Sequence, residues 1–280
     1  MTAHVAMIGC GEAGLAFAGA PGRCGSVTAF DIQTDDPARR DAKLAEYRGA
    51  GVTAAMTVAE ALAGAGVVLS LVTADQALNA AQSAAPRISP GALYLDLNSV
   101  APATKRAAAA VIDTAGGRYV DVAVMAPVHP KRLGVPLLVS GAHAAAAVDA
   151  LRAIGFTSLK LIAGDTGAAA SVKMIRSVVI KGVEALTAEC MIAAARAGVV
   201  AEVLAALGED WATRADYNLD RMMVHGLRRA AEMDEVAATL EGLGVVPSMT
   251  RATAKRQREL GALGLGHVAG LDAKLEALAA

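Results

Sequence analysis

The amino-terminal part of the chain alternates short apolar runs with longer segments whose apolar residues recur at helical spacing. Between His4 and about Ile162 each apolar run is bounded by Gly, Pro, Asp or Ser, and helix-length stretches separate the early runs. This alternation is typical of βαβ units, which build a mostly parallel sheet. It predicts a doubly wound α/β domain over residues 1–163. The runs are HVAMIG, SVTAFDI, GVVLSLV, GALYLDLNS, YVDVAV, PLLVSG and LKLIAG.

The pattern changes after Gly164, where strand-like runs stop and apolar positions follow a helical period. Residues 166–197 predict one long helix, of a kind that bridges domains or forms the core of an oligomer. We therefore expect an all-helical domain over 164–280, joined to the first by a tight boundary. Breaks in the helical pattern fall near Gly198, near Gly208, at 242–247 and at 261–266.

Composition narrows the function classes. Lys and Arg number 26 and Asp and Glu 27, so electrostatics gives no reason to expect nucleic acid or an anionic membrane as partner. A small molecule is the expected ligand. No run approaches the roughly 18 apolar residues of a membrane span, and the first residues do not resemble a secretory signal. Three scattered cysteines predict neither a disulfide framework nor a metal site. We interpret the protein as cytoplasmic.

A glycine motif follows the first apolar run. In VAMIGCGEAGLAFA, Gly9, Gly11 and Gly14 form G-x-G-x-x-G between a predicted strand and a predicted helix. Such glycines permit a tight turn, close approach of the backbone to a diphosphate, and packing of the helix on the strand. The motif predicts a Rossmann-type dinucleotide-binding domain; the alternative is a glycine turn that serves packing only.

An acidic residue ends the next strand. Asp31 follows Gly11 at the spacing, about 20 residues, of a carboxylate that binds an adenosine ribose diol and repels a 2′-phosphate. It favours NAD, although Arg39 and Arg40 leave NADP possible. The other predicted cofactor contacts lie in the glycine loop and after two later strands: Glu12, Ala13, Val72, Thr73, Asn98 and Ser99. For Asn98 and Ser99 the alternative is that they cap the following helix.

Two further segments contain candidate substrate contacts. After YVDVAV, a loop contains Met125, Ala126 and His129, and His129 is either an acid or base held between prolines or a surface histidine. In DRMMVHGLRRAAEMDEV, His225 and Arg229 share a helical face with Glu232, and Arg228 can pair with Glu232. That face is either an anion-binding surface, a solvated face or an ion network at a subunit interface.

The long predicted helix begins with DTGAAASVKMIRSVVIKG and contains a polar stripe. Lys173, Ser177 and Glu184 lie on one side, flanked by Arg176 and Lys181. Either the stripe faces solvent, with Lys181 and Glu184 paired, or it lines an interdomain cleft where Lys173 transfers a proton. The opposite arc is apolar and consists of Met174, Ile175, Val178, Val179 and Leu186.

The order of these motifs resembles the β-hydroxyacid dehydrogenase superfamily, which includes 3-hydroxyisobutyrate and 6-phosphogluconate dehydrogenases. It rests on the glycine loop, the strand ending in LNS, YVDVAVMAP and GDTGAAASVKMIRS. The carboxyl-terminal VHGLRRAAEMDEVAATLEGLGVVPSMTRAT resembles the branch with a DUF1932 domain. The resemblance implies a 6-phosphogluconate dehydrogenase-like fold and a homodimer with the long helix at its centre.

The resemblance also implies chemistry: hydride transfer between NAD(P) and a small hydroxy acid, with Lys173 as general acid/base. Ser177 stands where members have asparagine, and Met125 and Ala126 begin a segment where members have Ser-Gly-Gly, the usual anchor of a substrate carboxylate. Arg229, His225 or His129 is expected to replace that anchor, and Arg176 is a further expected substrate contact. Two alternatives stay open. One is an imine reductase, a class that is similar to this family but has another residue at the position of the lysine. The other is a non-catalytic NAD-binding module.

Overall fold

The computed structural model describes residues 4–279. They form two compact units that divide between Lys173 and Met174. The domain limits expected from the sequence, 1–163 and 164–280, fall ten residues earlier and stay a prediction. Residues 1–3 and 280, at the outer ends of those domains, lie outside the described residues.

The first unit contains an eight-stranded sheet in the order β3-β2-β1-β4-β5-β6-β7-β8. Neighbouring strands are parallel except β6 and β7, which are antiparallel. All seven predicted strands are present, and only the two-residue β3 lacked a sequence signal, because it is too short and exposed to show a pattern. The strands are β1 His4–Ile8, β2 Ser26–Phe30, β3 Thr53–Ala54, β4 Val67–Ser70, β5 Leu93–Asp96, β6 Arg118–Val124, β7 Leu137–Ser140 and β8 Leu159–Leu161.

Both faces of this sheet are buried. In β1, Val5 and Met7 pack into one apolar cluster and Ala6 and Ile8 into another, because successive side chains point to opposite faces. A sheet covered on both sides requires continuously apolar strands, which explains the runs seen in the sequence. The helices of this unit are α1 Glu12–Ala18, α2 Pro37–Gly49, α3 Val58–Leu62, α4 Ala77–Ala84, α5 Pro102–Thr114 and α6 Ala144–Ile154, with 3-10 turns at Ile32–Thr34, Ala74–Gln76, Ala85–Arg87 and Arg132–Gly134.

The strand order fixes where a ligand can bind. The chain runs from β1 to β2 and β3 on one side and then returns to β4 on the other. The loops after β1 and β4 therefore diverge at the carboxyl edge of the sheet, and the crevice at such a switch point is the usual ligand site of open α/β sheets.

The second unit is helical, as predicted, and the predicted breaks separate its helices. A close crossing joins α9 and α10: a Cβ at Gly226 would lie 2.3 Å from the Gln257 carbonyl oxygen and 2.7 Å from the Gly261 backbone. Only glycine permits that approach. The helices are α7 Ala168–Ala197, which begins in the first unit, α8 Val200–Leu207, α9 Trp211–Gly242, α10 Ser248–Ala262 and α11 Leu271–Ala279. Within residues 4–279, no helix is long and apolar enough to cross a membrane.

Candidate active site

The three motif glycines have three different environments. Gly9 has a φ of +79°, and a Cβ there would lie 2.6 Å from the Leu71 carbonyl oxygen, so this position needs glycine. A Cβ at Gly14 would lie 3.3 Å from the Gly9 carbonyl oxygen, so the helix start packs on the turn. At Gly11, by contrast, no described residue beyond its chain neighbours has an atom within 4 Å of that position. The loop is tight at two glycines and open at the third, the arrangement that suits a cofactor diphosphate.

The acidic residue is fixed against this loop. Asp31 is buried, its Oδ2 accepts from the Cys10 backbone N–H at 2.8 Å, and its Oδ1 accepts from the Gln33 backbone N–H at 3.0 Å. Each carboxylate oxygen retains capacity for another hydrogen bond, so the carboxylate suits a ribose diol. Arg40 donates to the Thr34 carbonyl at 2.7 Å and Arg39 is exposed. The residues present therefore fit NAD, and NADP stays compatible with the nearby arginines.

A buried lysine beneath the loop lacked a sequence signal. Lys43 donates from Nζ to the Cys10 carbonyl at 2.6 Å and to Glu46 at 2.9 Å. Tyr47 is the other buried residue of α2, and an aromatic side chain is an expected core residue whereas a lysine is not, so the sequence does not distinguish Lys43 from its charged surface neighbours. Burial raises the pKa of the Cys10 thiol to about 12, so this residue of the loop is a neutral thiol at physiological pH.

Asn98 joins the loops that follow β4 and β5. Its Oδ1 accepts from the Val72 backbone N–H at 2.7 Å, and its Nδ2 donates to Ser70 Oγ at 2.9 Å. Helix α5 has Ala101 at its N-cap without a side-chain cap bond. The alternative in which Asn98 or Ser99 caps this helix is therefore wrong. Asn98 is instead a bridge at the carboxyl edge of the sheet, next to the switch point.

Lys173 reaches the same edge from the second turn of α7. Its Nζ donates to Ser99 Oγ, and the lysine is half-buried. Sequence patterns indicated a role for each of these two residues but did not link them, because they are 74 positions apart. The fold thus places an amine beside the loop of Asn98. Ser177 follows one turn later on α7 and is buried.

The loop after β6 contributes little charge near its start. Met125 and Ala126 are half-buried, and the Met125 N–H donates to the Pro136 carbonyl at 2.9 Å. His129 is exposed and precedes a cis proline. This exposure favours the surface-histidine alternative over an enclosed acid or base.

A cluster of buried charges, here called the Lys105 network, joins the carboxyl end of β5 to the middle of β6. Lys105 Nζ lies 3.0 Å from Asp96 Oδ1 and 3.4 Å from Asp121 Oδ1, and all three side chains are at most 1% exposed. Burial and the Asp96 carboxylate raise the pKa of the Tyr119 phenol, which stays protonated and donates to Asp96 Oδ2 at 2.7 Å. Asp96 and Asp121 are register partners in two otherwise apolar strands. The available sequence signal was a single aspartate within each of two otherwise apolar runs.

The polar stripe of α7 lies differently from the solvent-facing alternative. Lys181 pairs with Glu232 of α9 at 2.7 Å and Glu184 pairs with Arg229 of the same helix, so the expected Lys181–Glu184 pair is replaced. Both residues are buried. The expectation of a solvated stripe is wrong, because α9 supplies countercharges that the local helical spacing cannot reveal.

The apolar arc is instead the exposed side of this helix. Exposed fractions are 49% for Ile175, 65% for Val179 and 57% for Leu186. Only Met174 and Val178 of the predicted arc pack into an apolar cluster, with Met233, Val236 and Ala254. The inversion follows from the partners that α7 meets in this unit.

The basic candidates of the second unit differ in their surroundings. Arg229 is buried, donates from Nε to Glu184 Oε2 at 3.1 Å, and makes a second contact to the same carboxylate through NH2. Gln257 donates to Glu184 at 3.0 Å, and we call Glu184, Arg229 and Gln257 the Glu184 network. His225 is half-buried and Arg176 is exposed. The contacts of Arg229 lie within one chain and favour an ion network there over an anion-binding role; a network at a subunit interface stays a prediction.

Each of the two units contains residues that match a known protein-family model. Residues 4–159 match the NAD binding domain of 6-phosphogluconate dehydrogenase, and residues 194–260 match DUF1932, a domain of unknown function. A conserved hypothetical protein from Sinorhizobium meliloti 1021 is 39% identical, with the alignment covering 100% of this chain and 96% of that one and a TM-score of 0.72.

Two further solved structures share the fold. The conserved protein MTH1747 of unknown function, described as similar to 3-hydroxyacid dehydrogenases, is 28% identical over 98% of this chain and 99% of its own, with a TM-score of 0.69. Mycobacterium tuberculosis 3-hydroxyisobutyrate dehydrogenase is 17% identical over 100% of both chains, with a TM-score of 0.76. The chain belongs to the family that carries the NAD binding domain of 6-phosphogluconate dehydrogenase, here followed by a DUF1932 domain.

Proposed function

We propose that the protein is an NAD(P)-dependent dehydrogenase or reductase that acts on a small, acidic hydroxy compound. The observation that carries the proposal is the hydrogen bond from Lys173 Nζ to Ser99 Oγ. It holds an amine at the carboxyl edge of a sheet whose switch-point loop suits a dinucleotide. The family membership supports the nicotinamide cofactor, which supplies the hydride acceptor or donor when it is bound.

In this proposal the residues of the first unit divide the work. The backbone at Gly11 approaches the diphosphate, and Asp31 accepts hydrogen bonds from the ribose. We extend the cofactor contacts to Glu12, Ala13, Val72 and Thr73, which lie in the loops after β1 and β4. Asn98 keeps these loops in register through its bond to the Val72 backbone.

Lys173 moves the proton. On oxidation its neutral amine takes the hydroxyl proton of the substrate, and on reduction its ammonium returns that proton to the carbonyl oxygen. Ser99 accepts the lysine's hydrogen bond and so orients the amine, while its own hydroxyl proton stays available for a substrate oxygen. We assign Ser177, one helical turn away, a second hydrogen bond to the substrate or to Lys173.

Substrate selection falls to residues outside the family's usual anchor. Because Met125 and Ala126 have no side-chain hydroxyl to donate a hydrogen bond, we propose that a substrate carboxylate binds a basic side chain: Arg176, His225 or His129. Arg229 is the weakest of the sequence candidates, since its guanidinium already holds Glu184. A carboxylate anchored at a fixed distance from Lys173 would favour β-hydroxy acids.

The first test is turnover. Purified protein is screened with NAD and NADP against small hydroxy acids, polyols, aryl alcohols and cyclic imines, and the best substrate is used with the Lys173→Ala variant. Loss of the general acid/base should lower kcat by about 10²–10⁴-fold and leave cofactor affinity unchanged. Lys255→Ala, at a side chain that is 79% exposed, is the matched control.

Three outcomes would contradict the proposal. Full turnover by Lys173→Ala would remove the catalytic assignment. Reduction of cyclic imines alone would favour an imine reductase. Cofactor binding without turnover of any class would favour a non-catalytic module.

A further inference from the structure

We propose that Asp121 is a positioning residue for Lys173 and that it acts together with Lys105 and Asp96. The inference deepens the proposed function and rests on it for the role of Lys173. The placement of the amine is a separate, measurable property. These side chains act through the backbone that carries Lys173 and Ser99.

Asp121 holds the start of α7 by hydrogen bonds to its backbone. Asp121 Oδ2 accepts from the backbone N–H groups of Gly167 at 3.1 Å and Ala170 at 2.9 Å. It also accepts from Ser140 Oγ at 3.1 Å, and that Oγ accepts from the Ala169 N–H at 2.9 Å. The first N–H groups of a helix have no partner within the helix. Here a buried carboxylate and a buried hydroxyl accept hydrogen bonds from these N–H groups, three to six residues before Lys173.

Asp96 holds the turn that carries Ser99, which accepts the hydrogen bond of the Lys173 amine. Asp96 Oδ1 accepts from the Asn98 backbone N–H at 2.9 Å, which fixes the turn that leads to Ser99. Lys105 Nζ donates to the Asp96 carbonyl at 2.6 Å as well as pairing with the Asp96 carboxylate. Asp96 therefore holds the Ser99 side of the Lys173–Ser99 bond as Asp121 holds the lysine side.

Lys105 links Asp96 and Asp121. The same Lys105 Nζ lies 3.4 Å from Asp121 Oδ1, so one cation links both carboxylates. Two carboxylates against one ammonium leave an excess negative charge in a buried place, which is costly without compensation. The N-terminal end of the 30-residue α7 carries a partial positive charge and compensates it. The helix start is therefore held at Asp121 by charge as well as by hydrogen bonds.

The consequence is a specific sensitivity of Lys173. Asp121→Asn keeps the size of the side chain but removes the charge that attracts the helix start, and it turns one acceptor into a donor. The first turn of α7 should loosen, and the amine should spend less time on Ser99. A change at Asp121 should therefore alter Lys173 more than other lysines.

The experiment is competitive labelling of lysines in the intact chain. Wild type and Asp121→Asn are treated with trace isotopic acetic anhydride from about pH 6 to pH 11, a range that includes the ordinary lysine pKa near 10.4. Mass spectrometry gives the acetylation rate of Lys173 relative to Lys255, which is 79% exposed. We expect the ratio to rise by about fivefold in Asp121→Asn, as for the loss of one hydrogen bond, with a changed pH profile at Lys173.

Lys274→Met is the matched control. Lys274 is also 1% exposed and pairs with two aspartates, Asp216 at 2.8 Å and Asp220 at 3.5 Å, but within the second unit. Its loss should lower stability and leave the Lys173 ratio unchanged. An unchanged ratio in folded Asp121→Asn would overturn the proposal. An equal rise in Lys274→Met would also overturn it, because it would indicate general loosening.

Turnover adds an independent reading once a substrate is known. Asp121→Asn should lower kcat by about 10- to 100-fold, with KM and the Kd for the cofactor nearly unchanged. Labelling needs no substrate, so the positioning can be upheld while the reaction is disproved. If Lys173→Ala keeps full turnover but Asp121→Asn raises the labelling ratio, only the proposed function fails. If the labelling ratio is the same in wild type and Asp121→Asn, only the positioning role of Asp121 is disproved.

Discussion

Two of the buried charge clusters, the Lys105 network and the Glu184 network, stabilise different things. In the Lys105 network, two carboxylates share one lysine, and Asp121 also accepts backbone N–H groups of Gly167 and Ala170. In the Glu184 network, one carboxylate meets the guanidinium of Arg229 and the amide of Gln257. The first network ties side-chain charge to backbone; the second ties side chain to side chain.

The difference teaches how each unit uses a buried charge. Side-chain pairs between α7, α9 and α10 fix which helices are neighbours, but long side chains tolerate small shifts. A carboxylate bonded directly to the first N–H groups of α7 fixes that backbone within hydrogen-bond distance. The unit that holds Lys173 and Ser99 has the more exacting arrangement, which the proposed proton transfer would need.

The largest effect should come from breaking the first network at its cation. Lys105→Met leaves Asp96 and Asp121 buried without their shared ammonium, and breaking a buried pair in this way costs about 3–5 kcal/mol. Hydrogen exchange measured by mass spectrometry on peptides of β5, β6 and α5 reads this unit separately. A loss below about 1 kcal/mol, the worth of an exposed pair, would contradict the burial argument.

An intermediate effect is expected in the second network. Glu184→Gln removes the negative charge opposite Arg229 but keeps an amide oxygen that can accept one bond, so the free energy of unfolding should fall by about 2–3 kcal/mol. Trp211, the only tryptophan, lies at the start of α9 and reports urea unfolding of this unit by fluorescence.

A double variant sharpens that result. Glu184→Gln combined with Arg229→Met removes both charges, so part of the loss should be recovered. The loss in free energy of unfolding is compared with the losses of the single variants Glu184→Gln and Arg229→Met. If the double variant loses more than the two single variants together, the pair does not act as a charge-balanced unit.

The smallest effect should come from an exposed pair of the same helices. Arg258 lies 2.7 Å from Asp234, with side chains 53% and 57% exposed. Water and salt screen such a pair, so Arg258→Ala should change stability by less than about 0.5 kcal/mol. The same fluorescence-detected urea titration measures it, and a change as large as that of Glu184→Gln would remove the distinction between buried and exposed pairs.

The strand runs were predictable because a sheet covered on both faces needs apolar residues at every position. Asp31 and the glycine loop were predictable as well, since the turn and its carboxylate lie at fixed spacings along the chain. The buried roles of Lys43 and Lys105 were not, because each lies on a helix whose sequence looks like an ordinary surface helix. The two-residue β3 was too short to leave a pattern.

The stripe of α7 is the clearest case of a feature that local spacing misjudged. Helical geometry correctly placed Ser177 and Glu184 on one side, but it gave no information about which side would be covered. That depended on Arg229 and Glu232, which approach from a helix about 45 residues further along the chain.

The sequence by itself determined the order of strands and helices, the dinucleotide loop with its acidic partner, and the family, because these depend on short-range periodicity and spacing. Tertiary structure alone decided that Lys173 bonds Ser99, that Asp121 receives the start of α7, and that the charged side of this helix is buried. Each of these contacts joins residues separated by dozens of positions, and only the packed chain brings such residues within hydrogen-bond distance.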